Sequence, residues 1–167
     1  MSAEHPRDQK TRAAFALVIT SDTRTAEDDE SGRTAVSLIE GAGHVVACRT
    51  MIPNDSEKIR AEVRRLLGDA SVQVIVTSGG TGIGVRDRTV DAVTPLLEKE
   101  TPGFGEHFRR LSLDEVGGSA LISRATAGVA RGKMVFCLPG SRNAMSLALT
   151  RIILPNIGHM MWELGRG

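Results

Sequence analysis

Ser78-Gly79-Gly80-Thr81-Gly82 is the segment of this chain best suited to chemistry. Closely spaced glycines let backbone N–H groups approach an anion, and a helix starting behind them adds a favourable dipole. Thr81 supplies a hydroxyl. The spacing matches neither the P-loop nor the dinucleotide fingerprint. A phosphate cradle of another kind and a plain strand-to-helix turn therefore both stand as local readings. Beyond it, Asp87-Arg88-Thr89-Val90-Asp91 sets two carboxylates on one face if the stretch is helical. Hard oxygen donors beside a phosphate cradle suit Mg²⁺ and nucleotidyl transfer. The competing reading is helix capping by Asp87 or Thr89, with Asp91 favourable in the first turn.

Other polar segments are candidates of lower specificity. Asn54-Asp55-Ser56-Glu57 reads most simply as a capping box with Asn54 at the cap, and alternatively as a source of a catalytic carboxylate, Asp55. Ser21-Asp22 and Pro139-Gly140-Ser141 each follow an apolar run, Ser141 being placed to cap a helix. An Arg such as Arg124, after Ser123, suits bidentate anion binding. The acidic run Glu27–Glu30 reads as a solvated loop.

These segments must be held by regular elements. Phe15–Ile19 is a short apolar run that suits a strand buried on both faces, His44–Met51 is β-rich and gives a second strand, and Val72–Thr77 and Lys133–Leu138 give a third and a fourth. Helical patterns lie between them. One runs from Ser31-Gly32 toward Gly41 and Gly43, and one carries Ile59, Val63, Leu66 and Leu67. Others run through Val90, Val93, Leu96 and Leu97, over His107–Leu113 resuming at Ala120–Arg124, and from Asn143 to Leu164 with a break at Pro155. Alternating strands and helices predict one three-layer α/β/α, Rossmann-like domain with a mainly parallel sheet over residues 13–167, after a disordered lead-in over 1–12. In such folds ligands bind at the carboxyl ends of the strands, where Ser21-Asp22, Ser78–Gly82 and Pro139–Ser141 all fall.

Composition narrows the function. The chain has 167 residues, 21 Lys plus Arg against 20 Asp plus Glu, and 3% aromatics. That balance argues against a nucleic-acid polymer as partner, and the scarcity of rings against base-stacking platforms. No apolar run is long enough to cross a membrane as a helix, and the first residues lack a secretory pattern. Cys48 and Cys137 read as two reduced, buried thiols of a cytoplasmic chain. Charge is unevenly divided: residues 1–78 hold 10 basic and 12 acidic groups, and residues 79–167 hold 11 and 8. The positive excess lies in the half with the glycine segment, which suits a small anionic ligand.

In order and spacing, the segments resemble the MoaB/Mog family of molybdenum cofactor biosynthesis proteins, the molybdopterin-binding domain. The resemblance rests on Ser21-Asp22, Asp29-x-Ser31-Gly32, Gly43-His44-x-Val46 and Ser78–Gly82. It continues through Asp87-x-Thr89-x-Asp91, Pro102-Gly103-Phe104-Gly105-Glu106, Leu111-Ser112, Ser123-Arg124 and Leu138-Pro139-Gly140-Ser141. It implies a trimer or a hexamer of two trimers that binds molybdopterin, a pterin dithiolene with a terminal phosphate. It further implies transfer of AMP from Mg-ATP to that phosphate, with release of pyrophosphate. Gly79, Gly80, Thr81 and Gly82 would cradle phosphate, and Asp87 would match the family's required acidic residue. Ser123 and Pro139–Ser141 would line the pterin pocket, and Glu106 lies in a matching segment. Adenylyl-transferring members commonly carry Asp directly after the Pro of the second-strand turn. Here Pro53 precedes Asn54, and Asp55, one place later, is the candidate to hold Mg²⁺ with Asp87. The Pro-Gly-Ser141 turn and Gly117-Gly118-Ser119 resemble the MoaB branch more than Mog. A non-catalytic molybdopterin-binding scaffold protein is the alternative, and a competence-damage-type nucleotide pyrophosphatase a more distant one.

Overall fold

Buried runs, not propensity alone, set the frame of this computed structural model, which describes residues 11–166. Strands β1 (Ala14–Thr20), β3 (Val74–Ser78) and β6 (Lys133–Leu138) are buried almost throughout. They occupy the middle of a six-stranded sheet of order β2-β1-β3-β6-β5-β4, with β2 (Val45–Ile52) at one edge. The pairs β2–β1, β1–β3 and β3–β6 are parallel, whereas β5 (Thr126–Ala130) runs antiparallel to both β6 and β4 (Lys99–Glu100). The α/β expectation therefore holds, with a mainly parallel sheet. Most of the lead-in expected over 1–12 lies outside the described residues.

Helices cover both faces. Ala35 and Ile39 of α1 (Glu30–Gly41), Phe104 and Phe108 of α4 (Pro102–Val116), Met145 of α5 (Arg142–Ala148) and Ile157 of α6 (Leu154–Leu164) pack with Phe15, Val76 and Phe136. Ile59, Val63 and Leu66 of α2 (Ser56–Leu67) and Ala92 and Val93 of α3 (Thr89–Val93) pack on the opposite face against Val18, Ile75 and Val135. Because β2 lies on one side of β1 and β3 on the other, the strand order reverses between β1 and β3. The crevice outside their carboxyl ends is where an open α/β sheet accepts a ligand.

Several elements differ from the sequence reading, each for a local reason. The helix expected through Leu97 stops at Val93, and Pro95 sits in a 3₁₀ turn over Thr94–Leu96. Ala120–Arg124 is no helix; a 3₁₀ segment covers Gly117–Ile122. At Pro155 the rod does not break. A π-helical turn over Leu149–Ile153 absorbs the missing N–H and runs directly into α6. Strand β5, which forms a hairpin with the expected β6, carries no apolar run, since Thr-Ala-Gly-Val-Ala has little β-propensity. At the turn, Arg131 and Gly132 both take positive φ, +48° and +71°, as a two-residue primed turn requires.

Candidate functional site

The glycine segment leaves β3 at the crevice, and its neighbours explain the residue types. Gly79 and Gly80 adopt φ of +107° and +69°. A methyl group on Gly79 would lie 2.5 Å from the Thr20 carbonyl oxygen, and one on Gly80 would collide with Thr89 Oγ1 and Asn54 Oδ1. The loop is tied to both flanking strands: Gly79 N donates to Leu138 O (2.9 Å), and Thr20 Oγ1 donates to Ser78 O (3.1 Å). Thr89 N closes it from the far side by donating to Gly80 O (3.0 Å). The cradle is thus held rigid by strand ends, as a preorganised anion site needs.

Asp87 reaches the same loop from the segment before α3. Its Oδ2 accepts the Gly84 N–H at 2.8 Å and lies 2.7 Å from where a methyl on Gly82 would sit. Its Oδ1 takes no hydrogen bond among the described residues. Asp87 caps no helix: the residue before α3 is Arg88, which makes no side-chain cap. Asp91 is not available either. Both of its oxygens accept from Arg124 (2.9 and 3.0 Å), and that bonding holds its carboxyl below the usual carboxylate range. Arg124, expected to grip a ligand anion, grips Asp91 instead.

Two clefts meet at Asp87. One, of about 230 Å³, is floored by Gly80, Thr81 and Gly82 and walled by Ser123, Pro139 and Gly140. It continues past Ser123 and Pro139 into a more apolar recess of about 150 Å³ that includes Phe108, Val116, Ser141 and Leu147. The other, shallow and polar, of about 520 Å³, lies between Ser56, Gly84, Arg88 and Arg124. Asp87 lines this cleft and the 230 Å³ one. Arg88 is exposed, and its side chain makes no hydrogen bond among the described residues.

The remaining candidates are brought near the cradle in supporting positions. Asp22 Oδ1 accepts Asn54 N (2.9 Å), and Ser21 N donates to Ile52 O (3.0 Å), so the β1 and β2 ends are laced together. Asn54 Oδ1 is buried against Gly80 without a hydrogen-bond partner. The expected capping box does not form: Asp55, not Asn54, caps α2, its Oδ1 accepting Lys58 N at 2.9 Å, and the residue three places on is Lys58, which has no acceptor to return. Asp55 is exposed and lines none of these clefts. Ser78 and Thr89 are fully buried behind the loop, Thr89 Oγ1 lying 3.3 Å from Thr20 Oγ1. Ser141 caps α5 by accepting Ala144 N (3.1 Å) while lining the recess. Glu106 is exposed near the start of α4, whereas the other end of that helix, at Ser112 and Val116, borders the recess.

Two side chains that support the loops at the strand ends had no such role in the sequence reading. Asp29 is no solvated residue of an acidic run. It is buried, caps α1 through Gly32 N (2.8 Å), and through Ser31 (3.4 Å) reaches Ser78 Oγ (3.5 Å) behind the cradle. The signal for it was the cap spacing Asp29-x-x-Gly32. Arg24, from the β1–α1 loop, donates to Gly140 O (2.8 Å) and joins the first loop to the last; nothing in its local sequence foretold this.

Known proteins resemble this chain in sequence and fold over most of its length. Residues 16–159 match a family model described as "Probable molybdopterin binding domain". Molybdenum cofactor biosynthesis protein B of Halalkalibacterium halodurans is 43% identical over 166 residues, 98% of each chain. A crystal structure of a molybdenum cofactor biosynthesis protein B superposes with a TM-score of 0.91 at 43% identity, covering 94% of this chain and 98% of that one. The tungsten cofactor synthesizing protein MoaB from Pyrococcus furiosus gives 0.83 at 31% identity, covering 93% and 99%. No helix among the described residues is long and apolar enough to cross a membrane. By sequence, fold and the site at the strand ends, the chain belongs to the MoaB/Mog family of molybdenum cofactor biosynthesis proteins.

Proposed function

We propose that this protein binds molybdopterin and Mg-ATP side by side and transfers AMP to the pterin's terminal phosphate, releasing pyrophosphate. The observation that carries this reading is Asp87, the one acidic side chain shared by the glycine-floored cleft and the polar cleft. The glycine-floored cleft, with its apolar recess, suits a pterin whose phosphate rests on Gly80–Gly82. The polar cleft, bordered by Arg88, suits a triphosphate. Attack of one phosphate on another is opposed by charge repulsion, so positioning and neutralisation carry the catalysis and no nucleophilic side chain is required.

The residues present fit Mg²⁺. Asn54 Oδ1 is a buried acceptor without a partner, and Asp87 Oδ1 is unclaimed; both border the glycine loop. No group of three or more His, Cys, Asp or Glu side chains could cage a metal among the described residues. Mg²⁺ ordinarily takes one or two protein oxygens and completes its shell with phosphates and water. Bound there by Asp87 and Asn54, it would neutralise phosphate charge. The chain's own part is to hold the anions: backbone N–H groups of the loop orient one phosphate, Thr81 offers its hydroxyl, and Arg88 faces the other. The reading includes a cytoplasmic homo-oligomer, a trimer or a hexamer, which sedimentation would distinguish.

One observation favours a second reading, a molybdopterin-binding protein without turnover. Asp55 is occupied as a helix cap, so the β2 turn offers the site an amide in place of a carboxylate. Incubation with Mg-ATP and molybdopterin separates the two. The first reading expects pyrophosphate release that Asp87→Ala abolishes; the second expects tight pterin binding and no release.

A further inference from the structure

Arg124 spends its donors inward. Its backbone N–H donates to Thr81 O (2.8 Å) and its Nε to Gly82 O (2.8 Å). One terminal nitrogen donates to Asp87 O (3.1 Å) and Asp91 Oδ2 (3.0 Å), and the other to Asp91 Oδ1 (2.9 Å). A guanidinium has five N–H donors, and four of them are accounted for here. The carbonyls it holds stand at the two ends of the segment 82–88, which has no regular secondary structure and carries Ile83 and Val85 largely exposed. Within that segment the only further ties to Asp87 are local, between Asp87 and Gly84. A side chain so engaged has no free fork with which to clasp a phosphate.

We propose that Arg124 is a positioning residue: held by Asp91, it staples both ends of loop 82–88 and so fixes the backbone from which the Asp87 carboxylate projects. Substrate phosphate is met by another cation, Arg88, on the outer side of the same cleft. The kinetic consequence rests on the proposed adenylyl transfer; the loop geometry does not. The staple needs the planar fork, because no single ammonium spans the carbonyls of Gly82 and Asp87 and both oxygens of Asp91 at once.

Amide hydrogen exchange on the full chain tests the staple without any substrate. Arg124→Met and Arg124→Lys should both speed exchange at Gly84 and Asp87 by roughly tenfold or more, with the amides of β1 and β3 unchanged. Asp91→Asn should give the same pattern more weakly, and Arg88→Met should leave the loop at wild-type rates. Wild-type exchange in Arg124→Met, or acceleration spread equally over β1 and β3, would overturn the proposal. In the pyrophosphate-release assay, Arg124→Ala should lower kcat while KM for Mg-ATP stays within about threefold, and added guanidinium should restore part of the rate. A raised KM with unchanged kcat would make Arg124 a phosphate clamp and contradict the inference. Should the wild-type protein release no pyrophosphate, the adenylyl-transfer reading fails, and the exchange result still decides the role of Arg124.

Discussion

Asp55 and Asp87 follow the ends of neighbouring loops, after β2 and β3, and the same side chain comes to opposite uses. Asp55 turns back on its own helix and accepts Lys58 N, an ordinary N-cap. Asp87 is held by a glycine N–H through one oxygen, Oδ2, which leaves Oδ1 unclaimed. Residue type decides little here; what the backbone offers within reach decides much. After β2 only three residues pass before a helix starts at Ser56, so the nearest unsatisfied donors are that helix's own. After β3 the chain runs through an irregular loop stapled by Arg124, and the carboxylate stays beside the two clefts.

The comparison breaks most visibly at Asp87. Asp87→Ala should lower pyrophosphate release about a hundredfold or more, read as kcat in a coupled assay, because it removes a fixed group at the developing charge. Next comes the cradle. Gly80→Ala must place a Cβ against Thr89 Oγ1 and Asn54 Oδ1 at a φ of +69°, so it should cost about 2 kcal/mol or more in urea unfolding, and affinity for the pterin with it. Asp55→Ala should cost about 1 kcal/mol, the worth of a helix cap, with turnover nearly unaltered. A large loss of kcat in Asp55→Ala at unchanged stability would restore Asp55 to the chemistry.

The smallest effect is remote from the clefts. His44 Nδ1 accepts the Ala13 N–H at 3.2 Å, and burial pulls its pKa below 6.5. Between its folded and unfolded values the unfolded chain binds more protons, so this contribution to stability is present above about pH 6.5 and is lost as pH falls below it. Urea unfolding at about pH 7.5 and pH 5.5 should show the drop, and His44→Gln should flatten it. The thiol of Cys137, pushed up to about 11 by burial, should stay unreactive throughout.

Much of the frame was legible because its signals are local. The short runs around Val76 and Phe136 read as strands, and the structure buries both of them, while the glycines at 79 and 80 take the positive φ that glycine adopts most readily. The cap of α2 was legible only to within one residue, since Asn54 and Asp55 cap equally well in isolation and the Asp22–Asn54 bond decides between them. The bonding of Arg124 was not legible for a stronger reason: its side-chain partners lie 33 to 42 positions away, and no local pattern records them. The short strand at Lys99–Glu100 is a sheet-edge pairing of two residues, below what periodicity detects.

The central claim is that two anionic substrates occupy separate clefts on either side of Asp87. Calorimetric titration of Mg²⁺ and a non-hydrolysable α,β-methylene ATP analogue, into the free protein and into protein saturated with molybdopterin, tests it most directly. Binding of the nucleotide to the pterin-loaded protein, weakened in Asp87→Ala, is the predicted result. Competition, with molybdopterin abolishing nucleotide binding, would contradict it.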